Sequence, residues 1–185
     1  MGMSGSRAQA SVPGRILVSG SRLGKRGLFG GFKVNIRTLR DVIEVSRLLH
    51  HRLGECLGRS AAETVPSRAK WLLRYLADHE IALEKMLIGV ETAADPKAMD
   101  TWVYDYLRPE PIKLGRSCGA AYEDADCEEI CTDVLDLHNQ VMDMYRDLLV
   151  RADIPEIREL LGSLLEIEEH ETLRLAQQTN LVRDY

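Results

Sequence analysis

The chain contains a weak internal repeat whose two copies are separated by 88 residues. In the first pair of segments, which contain IEVSRLLHHRL and LDLHNQVMDMY, His50 aligns with His138. In the second pair, which contain LADHEIALEKML and LLEIEEHETLRL, Glu80 aligns with Glu168. Two helical hairpins related in this way predict a four-helix bundle. Each hairpin would direct one His and one Glu to the interior, as bundles that hold buried metal ions do.

The composition agrees with a helical globular domain. A chain of 185 residues suits one domain with a substantial core. Hydrophobic residues make up 45% and charged residues 29%, which is ordinary for this class, and the low aromatic content of 5% favours helix over strand. No stretch approaches 18 uninterrupted apolar residues, so we expect no membrane span.

Charge divides the chain into two parts. Residues 1–40 carry eight Lys and Arg side chains and no Asp or Glu, although the whole chain has a net charge of −5. The remainder is therefore strongly acidic, which argues against nucleic acid as a partner. We interpret residues 1–34 as a basic Gly/Ser/Arg-rich arm. It could be a flexible tail, an organellar transit peptide, or a segment that packs on its own bundle or on a second subunit.

Apolar residues recur at steps of three and four in four long segments, which predicts four amphipathic helices. Gly58 is the expected C-terminal cap of the first helix, and Thr64 is the expected N-cap of the second, with Pro66 in its first turn. Asp153 and Pro155 play the same roles for the fourth. The predicted helices cover about 36–57, 65–91, 124–151 and 154–179.

The connections predict the topology. Short links join the first helix to the second and the third to the fourth, so each pair forms an antiparallel hairpin. About thirty residues, 93–123, separate the second helix from the third, which is enough to cross the length of the bundle. A short helix within AMDTWVYDYL would place Trp102 and Tyr106 over one end of the core. We therefore predict an all-α, ferritin-like four-helix bundle over residues 35–180, followed by a tail over 181–185.

Over residues 37–180 the chain resembles the ferritin-like, rubrerythrin-like superfamily. In that superfamily the first and third helices each supply a Glu, and the second and fourth each supply Glu-x-x-His. The segments around His50 and His138 are similar to the Glu-bearing segments, with His at the Glu position. Glu80 and Glu168 match the Glu of the two Glu-x-x-His motifs. The motif itself occurs nowhere in this chain, because Leu83 and Glu171 stand at the two matching His positions.

The four repeated polar residues are candidate metal ligands. Two imidazoles and two carboxylates suit one divalent ion, and Glu171, one turn after Glu168, could add a third carboxylate. Burying carboxylates without compensation is costly, so a cation inside the bundle is one solution. The other is a polar core without metal, in which neutral imidazoles hydrogen-bond to the carboxylates. The candidate metal ligands are His50, Glu80, His138, Glu168 and Glu171.

Two classes of function follow. The resemblance implies a metal-binding protein, with iron as the family's metal and manganese or zinc as alternatives, acting on O₂ or peroxide when iron is bound. The alternative is a non-catalytic bundle that has lost its metal and serves self-association or partner binding. Whether the protein is an enzyme stays open. We expect a cytoplasmic homodimer that binds no nucleic acid and has no membrane span; its redox partner stays unknown.

The remaining histidines and the cysteines give weaker signals. Each of the other three histidines neighbours an inward residue and is expected on the flank or surface of the bundle; they are His51, His79 and His170. Cys56 is expected to be a small core residue. The other cysteines cluster at the end of the crossover without the Cys-x₂-Cys spacing of strong zinc motifs, so reduced thiols are expected; they are Cys118, Cys127 and Cys131.

Overall fold

The computed structural model describes residues 36–64, 67–103, 122 and 124–183, with the side chains of 179–183 left out. Four long helices and one short helix account for most of them, and the described residues contain no β-strand beyond an isolated bridge between Thr38 and Trp102. None of the described helices is long and apolar enough to cross a membrane. The helices are α1 (Leu39–Glu63), α2 (Arg68–Ala93), α3 (Pro96–Met99), α4 (Cys127–Arg151) and α5 (Pro155–Arg183).

Capping boxes determine where α1 and α4 begin. The Thr38 hydroxyl accepts a hydrogen bond from the backbone N–H of Asp41, and the Asp41 carboxylate accepts one from the N–H of Thr38. Asp126 and Glu129 form the same reciprocal pair at the start of α4. Each box satisfies two N–H groups that the first helical turn leaves without partners, which fixes the first residue of the helix.

The predicted boundary between the first two helices was wrong. Gly58 does not cap α1, which continues to Glu63, and Thr64 is its C-cap rather than the N-cap of α2. The side chain of Ser67 caps α2 instead. The small residues at the end of α1 allow close packing on α2. A Cβ on Gly54 would lie 3.1 Å from Ile81 Cγ1.

The helices form two antiparallel hairpins, α1–α2 and α4–α5, joined by the long connection from α2 to α4. This confirms the predicted short–long–short topology. Within the described part of the crossover a short helix spans Pro96–Met99, and Trp102 is exposed instead of covering the core. The second half of the predicted segment lies outside the described residues. Met99 and Val103 are buried at this end of the bundle. Tyr106 lies outside the described residues.

Two further differences concern the ends of the chain. Helix α5 continues to Arg183, past the predicted end of the bundle, because no Gly or Pro occurs between 176 and 183 to stop it. The predicted basic arm, residues 1–34, lies outside the described residues.

The core is apolar above and below one polar layer. Aliphatic side chains from all four long helices fill the interior, together with fully buried Tyr145. Near the middle of the bundle this packing is interrupted by buried polar side chains, and a bundle that buries them needs a partner for each. The buried polar residues are Ser46, His50, Ser60, Glu80, His138, Glu168 and Glu171.

Candidate metal centre

Four long helices each supply one polar side chain to the centre of the bundle. His50, Glu80, His138 and Glu168 lie near the middle of α1, α2, α4 and α5, and each is 0% exposed. Two helical turns bring a residue back to nearly the same face, so buried residues seven positions away show why these side chains point inward. The buried flanking residues are Ile43 and Leu57, Leu73 and Leu87, Cys131 and Tyr145, and Leu161 and Leu175.

The four side chains form a closed ring of hydrogen bonds, which we call the His–Glu ring. Within each hairpin, Nδ1 of the His bonds to the Glu: His50 to Glu80 at 2.8 Å, and His138 to Glu168 at 2.9 Å. Between the hairpins, Nε2 makes the bonds: His50 to Glu168 at 3.0 Å, and His138 to Glu80 at 3.1 Å. The two imidazole centroids lie 5.2 Å apart. The ring therefore has the pseudo-twofold symmetry expected from the sequence repeat.

The ring contains equal numbers of positive and negative charges when it holds no metal. Burial alone would lower the pKa of each imidazole, but the two facing carboxylates outweigh it and raise the pKa of His50 to about 9 and that of His138 to about 10. Burial would likewise raise the pKa of Glu80 and Glu168, but the imidazolium partners hold both pKa values well below the ordinary range. Four carboxylate oxygens then accept from four N–H groups, which requires two imidazolium ions.

A second pair, His79 and Glu171, lies beside the ring. Nε2 of His79 is 3.1 Å from Oε2 of Glu171, and both side chains are only 8% exposed. The two atoms are not aligned as a hydrogen bond, and neither has another hydrogen-bond partner among the described residues. Burial lowers the pKa of His79. The sequence placed His79 on the flank of the bundle, and its phase next to Glu80 gave no signal of this burial.

A buried phenol adjoins the ring on the other hairpin. Tyr145 is fully buried, and its hydroxyl has no well-aligned hydrogen bond to a described residue. Burial, reinforced by the negative charge of Glu168, raises its pKa far above the ordinary value, so the phenol keeps its proton. The nearby Ser46 hydroxyl donates to the carbonyl of Val42 at 3.1 Å.

The weaker candidates lie away from the ring. His51 is partly exposed and pairs with Glu84 at 2.9 Å, and His170 is exposed, as predicted for flank residues. Neither Cys127 nor Cys131 is part of a disulfide. Cys56 is buried as predicted, and it is disulfide-bonded, which the sequence did not predict. Cysteine spacing in a sequence does not reveal which side chains come within bonding distance. Cys118 lies outside the described residues.

The donor atoms of the ring fit a divalent cation. One ligand atom each from His50, Glu80 and His138 lies within 4.8 Å of the other two. The 2.8–3.1 Å contacts of the ring use both nitrogens of each imidazole, whereas one ion would bind a single nitrogen of each at about 2.0–2.2 Å. Glu168 lies outside this three-residue group. Imidazole nitrogen combined with carboxylate oxygen suits Zn²⁺, Fe²⁺ or Mn²⁺.

Comparison with known proteins gives one informative likeness. No protein-family model matches the sequence, and no curated protein matches it by sequence. Among solved structures, the chain is similar to a protein from Thermotoga maritima described as a ferritin-like diiron-carboxylate protein, with a TM-score of 0.52 and 14% sequence identity. The match covers 77% of this chain and 95% of that one. Together with the two hairpins and the long crossover, this likeness shows that the chain has a ferritin-like fold.

Proposed function

We propose that the protein is a ferritin-like metal-binding protein that holds a divalent cation in the His–Glu ring. The observation that carries the proposal is the convergence of two imidazoles and two carboxylates, all 0% exposed, at the centre of the bundle. Iron is the proposed metal, because the similar Thermotoga maritima protein is described as diiron-carboxylate. Manganese and zinc are the alternatives.

Charge balance supports the exchange of protons for a metal ion. With both carboxylates ionised, the metal-free ring needs two imidazolium ions to complete its hydrogen bonds. A metal ion binds an imidazole nitrogen only after that nitrogen has lost its proton. One divalent cation that displaces one proton from each of His50 and His138 leaves the net charge of the buried layer unchanged. The bundle can thus hold either two protons or one cation without burying unbalanced charge.

Bound iron would supply one-electron redox chemistry towards O₂ or peroxide, and the chain's own residues would control that chemistry. The buried ring excludes bulk water, because apolar layers lie above and below it. Glu171 and His79 face each other at 3.1 Å beside the ring, and Glu171 also pairs with Arg174 at 3.5 Å. Either side chain could complete coordination or hold a proton. Tyr145 presents a neutral hydroxyl near Glu168.

A specific observation also favours a structural role. Every nitrogen and carboxylate oxygen of the ring has a hydrogen-bond partner at 2.8–3.1 Å, so the layer is satisfied without a metal. Under this second candidate function the ring would align the two hairpins, and the bundle would act through self-association or a partner.

Metal content distinguishes the two. Full-length protein would be stripped with a chelator, reconstituted anaerobically with Fe²⁺, Mn²⁺ or Zn²⁺, desalted and assayed for metal per chain. We expect near-stoichiometric metal in the wild type, with a large loss in Glu168→Gln. His51→Gln, which changes a partly exposed His next to a ring member, is the matched control and should retain the metal. Equal, low occupancy in the wild type and Glu168→Gln would end the metal-binding proposal and leave the structural one.

Three further sequence-based expectations stay predictions: a homodimer, a cytoplasmic location and a rubrerythrin-like reaction. Sedimentation of the purified chain tests the first of these directly.

A further inference from the structure

Three side chains with ring systems stack along one face of α2. Trp71, Tyr75 and His79 follow one another at intervals of four residues, which places them one above the other on a helix. The rings of Trp71 and Tyr75 have centroids 5.6 Å apart and are inclined by 9°. Those of Tyr75 and His79 are 6.3 Å apart and inclined by 24°. We call this row the α2 ring stack.

The stack leads from solvent to the edge of the His–Glu ring. Trp71 is 53% exposed, Tyr75 is half-buried, and the side chain of His79 is only 8% exposed. His79 precedes Glu80 in the chain and lies 3.1 Å from Glu171. At 1.5 Å per residue, Trp71 and Glu80 are about 14 Å apart along α2. The stack thus spans most of the distance between the surface and the buried centre.

We propose that the α2 ring stack is an electron relay between the protein surface and the metal centre. This inference rests on the proposed metal-binding function. The ring residues are 0% exposed, so no external electron donor can touch them. Electron tunnelling through protein weakens exponentially with distance, and oxidisable rings divide one long step into shorter ones. Trp71 and Tyr75 would be the oxidisable members, and His79 would close the gap between Tyr75 and the centre.

The chemistry of tryptophan and tyrosine fixes the direction of the relay. Both give up an electron only to a strong oxidant, so the stack serves the oxidising half of a peroxide reaction. Reduction of peroxide consumes two electrons and two protons and yields two waters. The stack would deliver the two electrons one at a time: each time, Tyr75 gives one electron to the centre and regains one from Trp71, whose indole N–H proton passes to solvent. Two protons from solvent complete the two waters. A one-electron reductant in solution, such as ascorbate, then restores Trp71.

The chain contains its own matched control. It has two tryptophans, and Trp102 is 54% exposed, nearly the same as Trp71. Trp102 lies in the crossover, where its backbone forms a bridge with Thr38 at the start of α1, so it is at the other end of the α1–α2 hairpin. Peroxide acting from solution should oxidise the two indoles to a similar extent. A relay from the centre should favour Trp71.

The test is the site of oxidation in the iron-loaded, full-length protein. After the metal content has been measured, the protein would receive limited hydrogen peroxide without reductant, and oxygenated tryptophan would be quantified by peptide mass spectrometry. We expect several-fold more oxidation at Trp71 than at Trp102. In Tyr75→Phe, which keeps a ring but removes the oxidisable phenol, Trp71 oxidation should fall to the level of Trp102. Ascorbate added before peroxide should protect Trp71 in the wild type.

The outcomes separate the relay from the metal site. Equal oxidation of the two tryptophans in loaded wild type would overturn the relay while leaving metal binding intact. Preferential oxidation of Trp71 that persists in Tyr75→Phe would also overturn it. A chain that takes up no metal would overturn the proposed function, and the relay with it. Freeze-quench electron paramagnetic resonance offers a second readout, in which Trp71→Phe should move the radical signal from tryptophan to tyrosine and Trp102→Phe should leave it unchanged.

Discussion

The two hairpins of the bundle agree at the ring and differ around it. His50 and Glu80 of the first hairpin match His138 and Glu168 of the second, and the same 88-residue offset relates the N-cap Thr38 to the N-cap Asp126. The symmetry thus extends from the helix starts to the buried polar layer. It indicates that the repeat preserves two things: the start of each hairpin and the charge balance at the centre.

The residues beside the ring break this symmetry. Glu171 of the second hairpin stands opposite Leu83 of the first, and His79 of the first stands opposite Ile167 of the second. Both substitutions put a nearly buried polar side chain beside a ring that is itself fully satisfied; His79 and Glu171 face each other at 3.1 Å without an aligned hydrogen bond, and Glu171 also pairs with Arg174 at 3.5 Å. A purely structural layer has no need of them. The asymmetry therefore favours a site at which something binds or reacts on the side of His79 and Glu171.

The largest expected effect comes from removing one member of the ring. His50→Leu should destabilise the metal-free protein by about 3–5 kcal/mol, because it leaves buried carboxylates without a counter-charge. His138→Leu should cost nearly the same, since the two positions are equivalent. Urea unfolding followed by circular dichroism measures both.

Two outcomes would break this equivalence. A cost below about 1 kcal/mol for either variant would mean that the imidazoles and carboxylates of the ring are not ionised in the folded protein. Unequal costs would mean that the surroundings of the two imidazoles, rather than the ring, dominate. As a contrast, changing all four ring residues to apolar ones of similar size should cost far less than four single losses, since no charge is then left unpaired.

The pH dependence of stability should show a maximum in mildly acidic solution for the metal-free protein. His50 and His138 have folded pKa values raised above 6.5, to about 9 and about 10, so their contribution is complete below pH 6.5 and lost as the pH rises through those values. Glu80 and Glu168 have folded pKa values lowered below 4.5, so their contribution is complete above pH 4.5 and lost as the pH falls. The free energy of unfolding should be greatest between these two limits.

Unfolding midpoints in urea across this pH range test the prediction. His51→Gln should show the same profile as the wild type, because His51 is not part of the ring. A stability that stays constant or rises between pH 6.5 and about 9 would contradict two imidazolium ions in the folded ring. Saturating metal should remove the decline at high pH, because the bound cation replaces the two protons.

How the hairpins pack gives a third comparison. Gly54 of α1 corresponds to Met142 of α4 in the repeat, so only the first hairpin has a glycine at this position. A Cβ on Gly54 would lie 3.1 Å from Ile81 Cγ1 and 3.3 Å from the carbonyl oxygen of Ala77, and the backbone oxygen cannot move away. Gly54→Ala should therefore destabilise the protein by about 1–2 kcal/mol, since overpacking exceeds the gain in helix propensity.

The matched control for Gly54→Ala is Gly162→Ala in α5. A Cβ on Gly162 meets no atom within 4 Å, so this variant should be stabilised by about 0.5–1 kcal/mol. Thermal unfolding of the two variants beside the wild type gives the sign of each effect. If both substitutions shift stability in the same direction, close packing at Gly54 is not what distinguishes the first hairpin.

The parts of this structure that the sequence predicted correctly depend on periodicity and connection length. Helical phase is a local property, so the inward direction of His50 and Glu168 followed from their spacing within apolar stripes. The topology followed because short links admit only antiparallel neighbours. The resemblance to ferritin-like proteins rested on the same helix lengths and crossover, and the structural likeness confirms that fold.

The sequence-based predictions were wrong where one local sequence feature is compatible with two different structures. Glycine marks a helix end but also permits close helix contact, and at Gly58 the helix continues. His79 lies about 100° around the helix from Glu80, at the border between buried and exposed faces. Its burial depends on Tyr75 and on Glu171 from another helix. Such a border position cannot be assigned from the phase of its own helix alone.

The smallest predicted effect tests the symmetry at the helix starts. Thr38→Ala and Asp126→Ala each remove a side chain that accepts a hydrogen bond from the third N–H of its helix, at 3.3 Å and 2.9 Å. Each should cost about 1 kcal/mol, the usual value of an N-cap. The two caps lie on different helices and share no partner, so the double variant should cost the sum of the single costs within about 0.5 kcal/mol. Urea unfolding of the three variants measures these costs.

A double variant that costs clearly more than the sum would mean that the first turns of α1 and α4 stabilise each other. The symmetry would then reflect an interaction between the caps and not merely a repeated sequence.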